Sequence, residues 1–268
     1  MIAASPAQAA VPPADLERRF GGLARLYGVA GAARIRQAHV AVVGIGGVGS
    51  WAAEALARSG VGQITLVDLD HVAESNINRQ VHALSGTVGQ AKVMAMQQRI
   101  AQINPDCTVH CVDDFATEEN WPHVLPHPVD AVVDACDQIR AKTAIAVWAR
   151  AEKVLHITVG AAGGKRHAHK VDIDDLAATT HDPLLAQLRY RLRKQHGAPR
   201  EGKKIGTTCV FSREAVAGPD PSCNLEGDGS LNCHGYGSVV AVTATFGQCA
   251  AGWVLDRLAA TSREDPKK

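Results

Sequence analysis

Six residues, Gly44-Ile45-Gly46-Gly47-Val48-Gly49, constrain this chain more than any other feature. They follow a short apolar run at 38–43 and precede a stretch of helix formers at 50–59. A G-x-G-x-x-G spacing between a strand and a helix has a physical reading. The first glycine permits a tight turn, the second lets backbone approach a phosphate, and the third lets helix and strand pack closely. The amides at the start of the helix then face the anion. A second apolar strand at 63–68 ends on Asp68, a carboxylate placed to accept ribose hydroxyls.

The alternation continues beyond Asp68. The pattern predicts a helix at 89–103 stopped by Pro105, strands at 107–112 and 129–134 flanking a weak helix at 117–125, a helix at 142–152 and a strand at 154–159. Such β-α-β order gives an α/β fold: a Rossmann-like open, mainly parallel sheet with helices on both faces. After Gly160 the rhythm changes to a C-terminal extension. An edge strand is expected at 171–176, a helix opened by Asp182 and Pro183 and running to Gln195, a strand at 207–211, and a last helix at 238–258. The expected division is a disordered tail at 1–16, an ATP-binding core at 17–160, a substrate and dimer region at 161–260, and a polar tail at 261–268.

Composition narrows the function classes. The 28 Lys and Arg nearly balance 27 Asp and Glu, so any nucleic-acid signal must be local. The seven cysteines include no C-x-x-C pair, which argues against a disulfide scaffold and a ribbon-type zinc site and suggests a reducing, cytoplasmic setting. Residues 235–255 carry no charge and are long enough to span a bilayer. Their recurrent Gly, Ser, Thr and Gln suit a helix buried against protein, so no stable membrane insertion is expected.

The first carboxylate alone does not separate NAD from ATP. The cluster after it does: Asp70, Asn76, Arg79, Gln80 and then Lys92. A triphosphate needs cations such as Arg79 and Lys92 to neutralise it and a group such as Asn76 to orient it. Asp137, after the fourth strand, stands where open α/β sheets bind ligand, and its carboxylate suits Mg²⁺. A different signal lies at 184–204, where seven Lys and Arg face one acid, a local balance of +6. Leu184, Leu185, Leu188 and Leu192 form one helical stripe, with Arg189 and Arg193 on a neighbouring face and Lys194 beside them. That segment reads equally as a phosphate-backbone contact or as a solvated helix face.

Taken together, GIGGVGS at 44–50, VDLDHVAESNINRQ at 67–80, GQAK at 89–92 and DACDQ at 134–138 resemble the ubiquitin-activating-enzyme-like adenylating family, to which ThiF, MoeB and HesA belong. The resemblance implies that Gly44, Gly46, Gly47, Gly49, Asp68, Asp70, Asn76, Arg79, Gln80 and Lys92 bind ATP. It ties Asp137 to Mg²⁺ and adenylation, and makes Asp137, Arg79 and Lys92 the catalytic set. RFGGLARLYG at 19–28, INPDC at 103–107, CVFS at 209–212 and VTATFG at 242–247 are similar to the tRNA-modifying branch, the threonylcarbamoyladenosine dehydratases. That branch implies ATP-dependent cyclisation of threonylcarbamoyladenosine in tRNA to a hydantoin through an acyl-adenylate. It also implies a cytoplasmic homodimer that works with a cysteine desulfurase and sulfur-acceptor proteins, and it admits a monovalent cation. It tips the basic segment, with Arg189, Arg193 and Lys194, toward tRNA.

Two departures and three alternatives accompany this. The paired zinc cysteines of many ThiF and MoeB relatives are absent, and Gly22 stands where relatives carry an arginine that reaches ATP across a dimer, with Arg25 nearby. Cys209 and Cys233 match cysteines of the branch, but a thiol without a role is the simpler reading. The alternatives are adenylation of a ubiquitin-like sulfur carrier, a non-catalytic nucleotide-binding scaffold, and an NAD oxidoreductase that leaves Asn76, Arg79 and Lys92 unexplained.

Overall fold

A computed structural model gives the fold and describes residues 14–200, 202–220, 222 and 236–260. Two N-terminal helices, α1 (Leu16–Phe20) and α2 (Gly22–Gln37), lead into strand β1 (His39–Val43). There follow α3 (Gly49–Arg58), β2 (Gln63–Val67), α4 (Lys92–Ile103), β3 (Thr108–Val112), β4 (Ala131–Asp134), α5 (Ile139–Glu152) and β5 (Leu155–Val159). The remainder is β6 (Val171–Asp175), α6 (Pro183–Gln195), β7 (Thr208–Ser212) and α7 (Val240–Ala260).

All seven strands join one sheet in the order β3-β2-β1-β4-β5-β7-β6. Every pairing is parallel except β6 with β7, which makes β6 an antiparallel edge. β1, β4 and most of β2 and β5 are buried on both faces, and their continuous Val, Ile and Ala runs are what a doubly covered parallel strand needs. The chain steps outward from β1 to β3 on one side and from β4 to β5 on the other. The switch point between β1 and β4 opens a crevice at their carboxyl ends.

The C-terminal residues are woven into this core. β7 inserts between β5 and β6, and α7 buries Val242, Phe246, Ala250 and Val254 in the same apolar cluster as Val40, Val42, Leu56 and Ile64. From Val242 on, one face of the charge-free run is therefore covered by protein, and no helix among the described residues is long and apolar enough to cross a membrane.

Two expected elements differ. No helix forms at 117–125. Thr117 and Asn120 exchange side-chain bonds with each other's amides, and Pro122 has no N–H to continue a helix, so the segment folds as successive turns. The helix expected from 89 begins at Lys92. Residues before it pair instead with the loop after β2: Val72 N donates to Gln90 O (2.8 Å), Gly89 N to Val72 O (2.8 Å) and Lys92 N to Asp70 O (2.9 Å). The N-terminal pair α1 and α2 had no counterpart in the expected core. Asp15 caps α1 by accepting from Arg18 N, and Gly28, at φ 73°, breaks the run of α2.

Candidate active site

The glycine turn sits at the carboxyl end of β1. Gly44 has φ 85°, a conformation that favours glycine, and a Cβ there would press on the Ala135 carbonyl at 2.9 Å. A Cβ on Gly49 would overlap the Gly44 carbonyl oxygen, so the third glycine sets the closeness of α3 to β1. Around Gly46 nothing lies within 4 Å of that position. The middle of the turn is thus open backbone in front of the α3 N-terminus, the geometry an anion needs.

Asp68 closes the turn from the neighbouring strand. Its Oδ2 accepts from Ile45 N (2.6 Å) and its Oδ1 from Asp70 N (2.9 Å). Burial pushes its carboxyl up, against Lys92 and these two amides, which favour the ionised form. Lys92 is nearly buried at the start of α4, with Nζ 2.6 Å from Asp70 Oδ2 and 3.7 Å from Asp68 Oδ1. The backbone zipper between 70–72 and 89–92 fixes that meeting. Its only isolated bridge joins His71 and Ala91.

Arg79 lays its Cγ and Cδ alongside Gly47, while Nη1 donates to Ser75 O (2.6 Å) and Asn78 Oδ1 (2.9 Å). The Trp51 indole donates to Arg79 O (2.9 Å), pinning this loop to α3. Asn76 turns its Oδ1 inward to accept from Ala73 N (3.0 Å), so it braces the loop that carries Arg79. Gln80 is buried beneath the same loop.

Asp137 is exposed three residues beyond β4, across the switch point from the glycine turn. Protein on one side desolvates its carboxyl and raises its pKa. Asp70 acts in the same direction, and Lys142 and Lys92 oppose. Asp68, Asp70, Lys92 and Asp137 therefore share one electrostatic neighbourhood. Asp70 and Asp137 offer open carboxylate oxygens, the donors Mg²⁺ takes when substrate phosphates complete its shell. Among the described residues no group of three or more His, Cys, Asp or Glu could hold a metal by itself, so any Mg²⁺ would come with the nucleotide.

Sequence reasoning missed what lies under this floor. Asp134, Lys142 and Thr158 are all fully buried. Lys142 Nζ is 2.9 Å from Asp134 Oδ1, and Thr158 Oγ1 donates to Asp134 Oδ2 (2.6 Å). Burial pushes Asp134 up, but Lys142 and His156 hold it well below the usual carboxylate range, and Asp134 in turn raises Lys142. The pair bolts α5 and β5 to the end of β4, three residues from Asp137. The available signal was a lysine on the apolar face of α5, among Ala141, Ile145, Ala146 and Ala149.

The other expected residues lie elsewhere. Arg189, Arg193 and Lys194 stand on α6, on the flank of the sheet beyond β5. Cys209 is sealed inside β7, where burial drives its thiol well above the usual range, so no exposed nucleophile exists there. Cys233 falls outside the described residues. Gly22 opens α2, Arg25 is exposed, and Arg19 is committed to the Ile103 carbonyl (2.8 Å) at the end of α4.

A family model described as the ThiF family matches residues 20–268. The chain belongs to the ThiF family. Within ThiF proteins it is similar to the tRNA threonylcarbamoyladenosine dehydratase of Escherichia coli, with 45% identity over 91% of this chain and 94% of that one. It is similar to the same enzyme of Haemophilus influenzae, with 43% identity over 91% and 94% of the two chains. The crystal structure of the E. coli protein in complex with ATP superposes with a TM-score of 0.83 at 44% identity, covering 93% of this ThiF chain and 98% of that one.

Proposed function

We propose that this ThiF-family chain is an ATP-dependent tRNA threonylcarbamoyladenosine dehydratase. The observation that carries the reading is the convergence, at one switch point, of the open Gly46 backbone, the buried Lys92 cation, and the Asp68, Asp70 and Asp137 carboxylates. The similarity of nearly the whole chain to dehydratases of that name supports the substrate.

The chemistry follows from the leaving group. A free carboxylate would have to expel oxide. Attack of the threonyl carboxylate on the α-phosphate expels pyrophosphate and leaves a mixed anhydride. The nitrogen of the carbamoyl group attached to the base then adds to the activated carbonyl carbon. The C–N bond forms, the C–O bond to AMP breaks, its electron pair leaves with AMP, and the N–H proton passes to solvent. Ring closure is intramolecular and gains from proximity.

In this scheme the α3 amides and Gly46 cradle the phosphates, Asp68 holds the ribose, and Lys92 and Arg79 offset phosphate charge. Asn76 keeps the Arg79 loop in shape. Asp137, with Asp70, would hold Mg²⁺, which when bound neutralises phosphate charge. Its proposed setting is the cytoplasm and its proposed assembly a homodimer, the latter supported by Leu26 and Val29, which stand exposed on α2. A cysteine desulfurase and sulfur-acceptor proteins are its proposed partners, and a monovalent cation its proposed additional ligand.

The test is incubation with ATP and tRNA bearing threonylcarbamoyladenosine, followed by nucleoside mass spectrometry. The expected result is AMP together with a nucleoside lighter by one water. AMP formed only with a carrier protein ending in Gly-Gly would overturn the reading in favour of sulfur-carrier activation.

A further inference from the structure

The basic helix α6 starts beside the carboxyl ends of β5 and β7, on the β4 side of the switch point. Its N-cap Asp182 accepts from Leu185 N (3.0 Å) and, through Oδ2, from Ala161 N (2.8 Å), two residues past the end of β5. Lys165 reinforces the junction by donating to the carbonyls of His181 (3.0 Å) and Glu214 (2.8 Å), the latter just past β7. From there α6 runs down the flank, held by Leu185, Leu188 and Leu192 against Ala146, Cys209 and Phe211.

Its outer face forms an open groove of about 550 Å³ lined by Ala186, Arg189, Tyr190, Arg193, Lys194 and Arg200. Among the described residues, no acidic side chain lines it. The groove residues on the helix are 4 to 12 positions past the cap, about 6–18 Å along the helix from that end at the rise of an α-helix.

The groove is preorganised. Arg189 Nη1 donates to Leu176 O (2.9 Å), Thr179 O (3.0 Å) and Thr179 Oγ1 (2.9 Å), and Arg193 Nε to Pro199 O (3.1 Å). These two cations are fixed walls. Tyr190 is 60% exposed, unusual for an aromatic ring in a chain with few. Lys194 Nζ donates to its Oη at 2.9 Å while lying 5.3 Å from the ring centre. That combination puts the ammonium beyond the hydroxyl edge and leaves the ring faces clear of it.

An exposed ring beside three arginines and a lysine matches the two parts of an unpaired nucleotide, a base to stack and a phosphate to pair. We infer that this groove binds an unpaired nucleotide of the substrate RNA next to the modified one, its base on Tyr190 and its phosphate among Arg193, Lys194 and Arg200. The inference rests on the dehydratase reading and adds an anchoring site to it. An acidic protein would use the charges but not the ring.

The test uses the full chain and tRNA carrying threonylcarbamoyladenosine, with binding measured across a salt series and ATP binding as a control of fold. Two variants separate the parts: Tyr190→Ala, and Lys194→Glu with Arg200→Glu. Arg189 and Arg193 are left alone because they hold backbone carbonyls. Tyr190→Ala is expected to weaken tRNA binding about tenfold at every salt concentration, with an unchanged salt slope. The charge variant is expected to weaken it more at low salt and to reduce the slope by about one to two. ATP affinity stays at the wild-type value in both. Wild-type tRNA affinity in the tyrosine variant, or an unchanged slope in the charge variant, overturns the groove. Wild-type protein that binds no such tRNA overturns the functional reading beneath it.

Discussion

At the scale of single residues, Lys92 and His82 illustrate two uses of burial. Lys92 is held against Asp70 and Asp68, so its side chain is in place before any phosphate arrives. Lys92→Ala is expected to lower AMP formation about 10²–10³-fold, the usual cost of removing a preorganised charge from the transition state. Single-turnover measurement of AMP checks this. Wild-type turnover would remove Lys92 from the site. Asp137→Asn should fold normally and lose AMP formation to a similar degree, whereas unaltered turnover would place the metal elsewhere. His82 has no charge partner: it is 1% exposed, neither ring nitrogen is hydrogen-bonded, and burial, with Lys92 and Arg99, lowers its pKa to about 4. Its unfolded value is about 6.5. The folded state refuses a proton that the unfolded chain takes up, so stability is full above pH 6.5 and declines as pH falls toward 4. The loss approaches about 3 kcal/mol at the lower end. His82→Leu is expected to flatten that part of the stability profile measured by urea unfolding, and an unchanged slope would show that His82 is hydrated.

At the scale of elements, the glycine turn separates folding from binding. Gly49→Ala must move α3 away from the Gly44 carbonyl and is expected to cost at least about 1–3 kcal/mol, with a lower thermal midpoint. Gly46→Ala meets open space, so the thermal midpoint should hold while ATP affinity drops roughly tenfold or more. Equal stability losses in both variants would contradict the geometry. The G-x-G-x-x-G spacing made the turn legible, because each glycine answers to a local backbone requirement. The start of α4 was not legible. Whether residues 89–91 wind into the helix or pair with 70–72 depends on a loop segment about twenty residues earlier, and helix propensity carries no record of that partner.

At the scale of the whole molecule, the buried Asp134–Lys142 pair ties the β4–α5–β5 unit together. It lies where β4, β5 and α5 meet, directly beneath the crevice. Lys142→Met leaves Asp134 as an unpaired buried charge and is expected to cost about 3–5 kcal/mol in chemical unfolding, with loss of AMP formation through displacement of Asp137. The companion change Asp134→Leu in the same chain should restore much of the stability, since an apolar pair needs no counter-charge. A Lys142→Met protein as stable as wild type would mean that water reaches the pair. The C-terminal helix belongs to this scale as well. A charge-free run of that length could span a bilayer, its Gly, Ser, Thr and Gln favour a buried helix, and α7 reached the core because α2, α3 and the sheet present an apolar surface that fits it.

Short-range requirements were decided by sequence alone. The strand-glycine-helix order, the end of β2 beside Asp68 and the Asp182-Pro183 helix start each depend on residues a few positions apart, and each is where the pattern put it. Tertiary structure decided what depends on distance along the chain. It placed Asp137 within electrostatic range of Asp70 and Lys92 and hid Cys209. It also tied Arg189 and Arg193 of α6 to backbone carbonyls while, among the described residues, Lys194 and Arg200 line the same groove without such bonds to backbone. The physical reason is the same throughout. Backbone turns and helix caps are satisfied by near neighbours, whereas burial and charge pairing are set by whichever distant segments the sheet brings together.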